Sequence, residues 1–317
     1  MTSAKLSIRP GVRTHNLTIF LITGDETMPD VDLRTLEESL EEKTFIIHET
    51  GNVGELEVEN LSDFEVFLQA GDLVKGGLQD RVFNSDLIVP AKSGRVAIGS
   101  FCVESGRWRN RVTKKGGVER TDSFHSAKDR LPSKNIRMAA LHTLSQSLVW
   151  EEVHSFQEML GENLSRSMRS DESPSSLQLT LEDEQLGLTI DQYLQELLPI
   201  VERCPGTVLG YACAINGKLS SAEIYTNSRL FKKLWPRLLR ANAIEALGCR
   251  STGEADREVG IDEVRSCLDQ PPNLKAKSRE VSSRVKIFTR ETERVVLQDT
   301  CDTSRGSAWI HRSYLVK

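Results

Sequence analysis

The stretch GDLVKGGLQDRVFNSDLIVPAKSGRVAIGSFCVESGRW, Gly71 to Trp108, sets two charged groups, QDR and GRW, among residues that otherwise read as buried β-strand. Asp80, Arg81, Glu104 and Arg107 are the charges that need a role. In an extended LQDRV, Gln79 and Arg81 project from one face and Asp80 from the other. A planar guanidinium suits phosphate or carboxylate, and Gln adds a donor and an acceptor, so the pair suits a nucleotide-like ligand. The same charges also suit internal ion pairs, with Arg81 or Arg107 held by Asp72, Asp80, Glu104 or Asp86. Both roles remain open at this point.

The neighbouring residues carry similar pairs of meanings. Gly76 and Gly77 would let a backbone approach a phosphate closely or simply make a turn, and the GxxxxGK[ST] order of a P-loop is absent. Trp108 is suited to stacking on a base or to wedging under the next loop. Glu104, ending an apolar strand, is either paired with arginine or raised in pKa and available, with Asp80, to activate water. Cys102 shares a face with Glu104, but a nearby carboxylate and apolar neighbours both oppose a thiolate, so a core cysteine is expected. The run RWRNRVTKKGG has the composition of a nucleic-acid contact, yet in a chain of net charge −5 it reads as a solvated loop, and nucleic acid is not an expected partner.

The elements that must position these residues follow from periodicity. NLTIFLITGD reads as a strand closed by Gly24-Asp25, and DLRTLEESLEEK as a short amphipathic helix. TFIIHE, GELEVEN and FEVFLQAGD continue as strands, and DLIVPAKSGRVAIGSFCVE reads as two strands joined around Lys92-Ser93-Gly94. The amino-terminal third is thus expected as a β-meander. The strand from Arg95 to Glu104 is apolar on both alternate sets and is expected to be covered on both faces. NIRMAALHTLSQSLVWEEVHSFQEML predicts one long helix through Leu141, Leu144 and Leu148. A further helix at DQYLQELLPIVER must end or bend near Pro199. Asn216-Gly217 marks a hairpin, Asn227 caps a helix stopped by Gly248 and kinked at Pro236, and RVKIFTR, RVVLQD and AWIHRSYLV are terminal strands.

This order predicts an α+β fold, a mainly antiparallel β-sheet (sandwich or partly open barrel) packed with several helices. A single elaborated domain over residues 1–317 is expected, with mobile loops near 111–135, 161–185 and 250–280. No apolar run reaches the length of a membrane span, and MTSAKLSIRPGVRTHN lacks a signal-peptide core, so a cytoplasmic location is expected. Six scattered cysteines fit a reduced compartment, and with no CxxC, HxH or HExxH spacing no metal site is expected. Any cofactor is unknown from the sequence.

AGDLVKGGLQDRV, DLIVPAKSG and FCVESGRW together resemble the ARG and rhodanese-phosphatase-superfamily-associated protein domain, first type. The resemblance extends to SLVW and to GYACAINGKLSSAEIY with its following helix, and so covers most of the chain. It implies a role near ADP-ribose or NAD processing, with ADP-ribose-processing enzymes as possible partners, and supplies no catalytic residue. Two expectations result. In one, Gln79, Arg81, Arg107, Trp108, Gly76 and Gly77 bind a small phosphorylated, nucleotide-like anion, and Glu104 and Asp80 would activate water if there is hydrolysis. In the other, the chain is a non-catalytic protein-interaction module in which the same charges are structural.

Overall fold

The structure, a computed structural model, describes residues 6–106, 124–126, 131–250, 257–269 and 274–317. Arg107, Trp108 and the rest of the basic run lie outside the described residues. The chain forms two compact units, one from residues 1–32 together with 190–317, the other from residues 33–189.

The first unit is built on a nine-stranded sheet, antiparallel throughout. At its centre run Leu17–Thr23, Val208–Ile215, Lys218–Tyr225, Ala308–Val316, Val295–Asp302 and Val285–Glu291, in that spatial order. Asn216 and Gly217, both at positive φ, make the two-residue turn that Asn-Gly predicts. One face of the sheet is covered by the helix Ser228–Gly248, whose Phe231 and Trp235 rings pack on Tyr211 and Tyr225. Asn227 caps that helix by accepting the Leu230 amide at 2.9 Å, and the helix ends at Gly248. Ala212, Ala222 and Ile224 point to the other face. There they share a core with Val264 and Cys267 of the helix Ile261–Leu268.

The second unit holds a six-stranded antiparallel sheet in the order Phe124–Ser126, Leu73–Gly76, Arg81–Phe83, Val96–Cys102, Glu55–Asn60 and Phe45–Glu49. Its end strands approach each other, so the sheet is a nearly closed barrel. Beside it lies a three-stranded sheet of Leu87–Val89, Val66–Leu68 and Arg34–Thr35. The helix Leu36–Glu41 starts from a capping box in which Thr35 and Glu38 exchange side-chain and backbone bonds. The fold is α+β with antiparallel sheets. Among the described residues no helix is long and apolar enough to cross a membrane.

Several expectations are corrected. Leu17–Thr23 does not join the amino-terminal meander but pairs with Val208–Ile215; its residues are buried on nearly every position, which demands a central place that local pattern cannot assign. Leu87–Val89 and Val96–Cys102 are not each other's partners: the first pairs with Val66–Leu68, the second with Glu55–Asn60 and Arg81–Phe83. Val96–Cys102 buries Ile98, Ser100 and Cys102 and leaves Ala97 exposed, so one face is core and the other is not. The long helix expected from Asn135 onward is broken. A short helix, Lys134–Met138, runs into a π-helical turn at Ala139–Thr143; Leu144 takes a left-handed conformation, and Ser145 caps a new helix, Gln146–Leu164. Within the span expected as a loop after Gly161, the helix Leu177–Leu181 packs Leu177 and Leu181 into the interior.

Candidate functional site: a buried charge cluster at the barrel end

The turn from Leu73–Gly76 to Arg81–Phe83 brings together Gly76, Gly77, Gln79, Asp80 and Arg81, and the end of Val96–Cys102 adds Cys102 and Glu104. Gly76 and Gly77 both stand at positive φ, the conformation that selects glycine here. The turn's amides face carboxylates of the chain itself. Gly76 donates to Asp80 Oδ1 at 3.1 Å and Leu78 to Glu49 Oε2 at 3.2 Å. A Cβ added at Gly77 would stand 2.2 Å from the Phe124 ring, so the space beside this glycine is already filled.

Gln79 and Arg81 do share a face, as alternation predicts. Arg81 Nη1 donates to Gln79 Oε1 at 3.1 Å and to the Cys102 sulfur, and the Cys102 thiol donates to the same Gln79 oxygen. Strand register sets this, because Cys102 lies directly opposite Arg81. Gln79 Nε2 donates to the Glu104 carbonyl at 2.9 Å, and Arg81 Nη2 lies 3.7 Å from Glu49 Oε1. On the opposite face, Asp80 Oδ2 accepts from the Ser176 hydroxyl at 3.2 Å. The Asp80 amide points to Glu104 Oε2 at 3.5 Å. Asp72 and Asp86 each accept a backbone amide, from Gln69 and Ala70.

Arg81, Glu104 and Cys102 are 0% exposed and Asp80 is 1% exposed. Taking charges this far from water costs several kcal/mol per ion unless they are paired and hydrogen-bonded. The arrangement supplies some of those bonds from within the cluster. Among the described residues it contains three carboxylates, Glu49, Asp80 and Glu104, around the Arg81 guanidinium. Cys102 is enclosed, as expected of a core thiol. Its backbone is held by Gln146, whose side-chain amide bonds both the Cys102 N–H and C=O at 2.9 Å and so continues the ladder from a helix end.

Glu49, Gln146 and Ser176 had no sequence signal for this role. Glu49 is remote in the chain and looks like an ordinary strand-end acid. Ser176 is legible only as a helix cap, from its position before LQLTL. Gly76, Gly77, Gln79, Asp80, Arg81 and Glu104 are brought together; Arg107 and Trp108 lie outside the described residues.

The first unit has a polar cluster of its own beneath Ser228–Gly248. His311 Nε2 and Glu223 Oε2 lie 2.9 Å apart, both buried, and the His311 ring stacks on Tyr225 at 4.6 Å. Nearby, Cys213 donates to Asn242 Oδ1 at 3.0 Å and Asn242 donates to the Tyr211 hydroxyl at 2.8 Å. An acid inside the apolar strand SAEIY was the available signal for the first pair.

A nearly closed barrel whose glycine turn gives amides to Asp80 and Glu49, in one chain with a helix-covered antiparallel sheet, defines an α+β protein. The chain belongs to the ARG and Rhodanese-Phosphatase-superfamily-associated Protein domain family, ARPP-1, whose model matches residues 5–315. No curated protein and no solved structure matches it.

Proposed function

We propose that the chain is a non-enzymatic binding module in which the cluster of Gln79, Asp80, Arg81, Cys102 and Glu104 fastens the barrel end. The observation that carries this is the complete burial of Arg81, with Nη1 shared between Gln79 and Cys102. A buried guanidinium so placed contributes through its bonds to the cluster, and removing it strands the acceptors it serves.

A second proposal keeps Gln79 and Arg81, with Arg107, Trp108, Gly76 and Gly77, as contacts for a phosphorylated, nucleotide-like anion of ADP-ribose or NAD metabolism, and assigns water activation to Glu104 or Asp80. It is supported by the common face of Gln79 and Arg81 and by the association recorded in the family's description. The complete burial of Arg81 weighs against it.

A thermal-shift comparison of the parent and Arg81→Ala with ADP-ribose, NAD and inorganic phosphate separates the two. The fastening role predicts a variant that melts far earlier and a parent indifferent to all three compounds. The ligand role predicts a stable variant and a parent stabilised by about 2.7 kcal/mol at a hundredfold excess over Kd.

A further inference from the structure

A cavity in the first unit lies at the sheet end where Lys218–Tyr225 begins and Ala308–Val316 finishes. It measures about 470 Å³ and is roofed by the helix Ile261–Leu268. That volume falls in the range of small-molecule sites, roughly 300–1,000 Å³. Among the described residues its charged lining is Lys218, Arg257, Arg294 and Lys317 with one carboxylate, Glu263. Arg257 bonds Glu263 at 2.8 Å, and Lys317 reaches out to Glu291 at 2.6 Å. Arg294 is exposed, and among the described residues no acidic side chain pairs with it. Leu219, Val295 and Val316 supply an apolar wall beside these cations.

The cleft is also built by close backbone contact. A Cβ at Gly217 would stand 2.2 Å from the Arg257 carbonyl oxygen, so only glycine at the hairpin tip lets the segment carrying Arg257 lie where it does. Cys267 lines the cleft from that same helix; burial pushes its thiol up to about 11, so it stays protonated at neutral pH and acts as wall.

We propose that this cleft binds a phosphate monoester carried on a small apolar body, with Arg294 and Lys218 on the phosphate and Leu219, Val295 and Val316 against the body. Arg294, with which no acid of the described residues pairs, favours an anionic head, and its guanidinium fork matches phosphate oxygens. The apolar wall favours an ester over the free ion. This site is independent of the barrel-end cluster, so Arg81 variants do not bear on it.

The test uses the full chain with labelled Leu and Val methyl groups and phenyl phosphate as probe, with inorganic phosphate and phenol as half-ligands. Saturable shifts of the Leu219, Val295 and Val316 methyls are expected with phenyl phosphate, and at least tenfold weaker binding for each half-ligand. Arg294→Gln, at an exposed position, should weaken phenyl phosphate at least tenfold while the melting temperature stays put; Lys218→Gln should act in the same direction. No saturable shift of these methyls, equal binding of inorganic phosphate, or unchanged affinity in both variants would overturn the proposal.

Discussion

The Ser176 hydroxyl lies 3.2 Å from Asp80 Oδ2 while the same oxygen accepts the Leu179 amide at 3.2 Å, so one side chain caps the helix Leu177–Leu181 and holds the barrel-end acid. Two functions that usually fall to separate residues are joined at a buried serine. Ser176→Ala should therefore lose both a cap and a hydrogen bond to a charged group, about 1–3 kcal/mol together. Urea unfolding measures this. A loss under about 0.5 kcal/mol would show that Asp80 is held adequately without it.

Gln146 makes a different kind of bridge. Its amide takes the place of a neighbouring strand for the Cys102 N–H and C=O. Gln146→Ala should speed hydrogen exchange at the Cys102 amide at least tenfold, with little change at Ile98, whose strand partner is Leu56. Unchanged protection at Cys102 would mean that water or another group takes over the bonds.

Asp302 makes stability depend on acid. Burial works to raise its carboxyl, but hydrogen bonds from Arg284, Ser304 and Arg305 outweigh this and bring it from 3.8 down to about 2. Because the folded value lies below the unfolded one, the stabilisation is whole above about pH 5 and is lost as the pH falls toward 2. At 1.36 kcal/mol per pKa unit it amounts to about 2 kcal/mol. Asp302→Asn should be less stable than the parent at pH 7 and should lose less on acidification between pH 5 and 2. Parallel pH profiles for the two proteins would contradict that assignment.

Gly217→Ala should be costly for two reasons that add. The residue stands at φ +67°, and the new Cβ would strike the Arg257 carbonyl oxygen at 2.2 Å. Strain at the positive φ alone costs on the order of 1 kcal/mol, and the backbone clash forces the Arg257 segment away. A melting temperature within a degree of the parent would show that this segment yields freely.

Much of the architecture was legible because it is locally encoded. Asn216-Gly217 sets its turn by φ alone, Asn227 and Gly248 bound their helix, and the three terminal strands follow from alternation. Alternation also placed Gln79 and Arg81 on one face. What was not legible depends on partners far away in the chain. Glu49 meets Arg81 only through the curvature of the barrel, and Leu17–Thr23 finds its place only beside Val208–Ile215. Leu144 looks helical by spacing, yet Ser145 caps a new helix directly after it, and a cap competes with the period that surrounds it. The glycine pair fitted a phosphate turn by composition; the acids that take its amides, Asp80 and Glu49, are decided by the tertiary fold.

Because the first unit is assembled from both ends of the chain, the order of synthesis matters. Leu17–Thr23, mostly apolar, is made before Val208–Ile215 and must wait for it to be translated. At ~5–20 residues per second that delay is on the order of ten seconds or more. Meanwhile the segment 33–189 emerges entire and can collapse on its own core. Until then the strand has only the short strands Ser7–Ile8 and Val12–Thr14 to pair with, and one of its two long edges stays open.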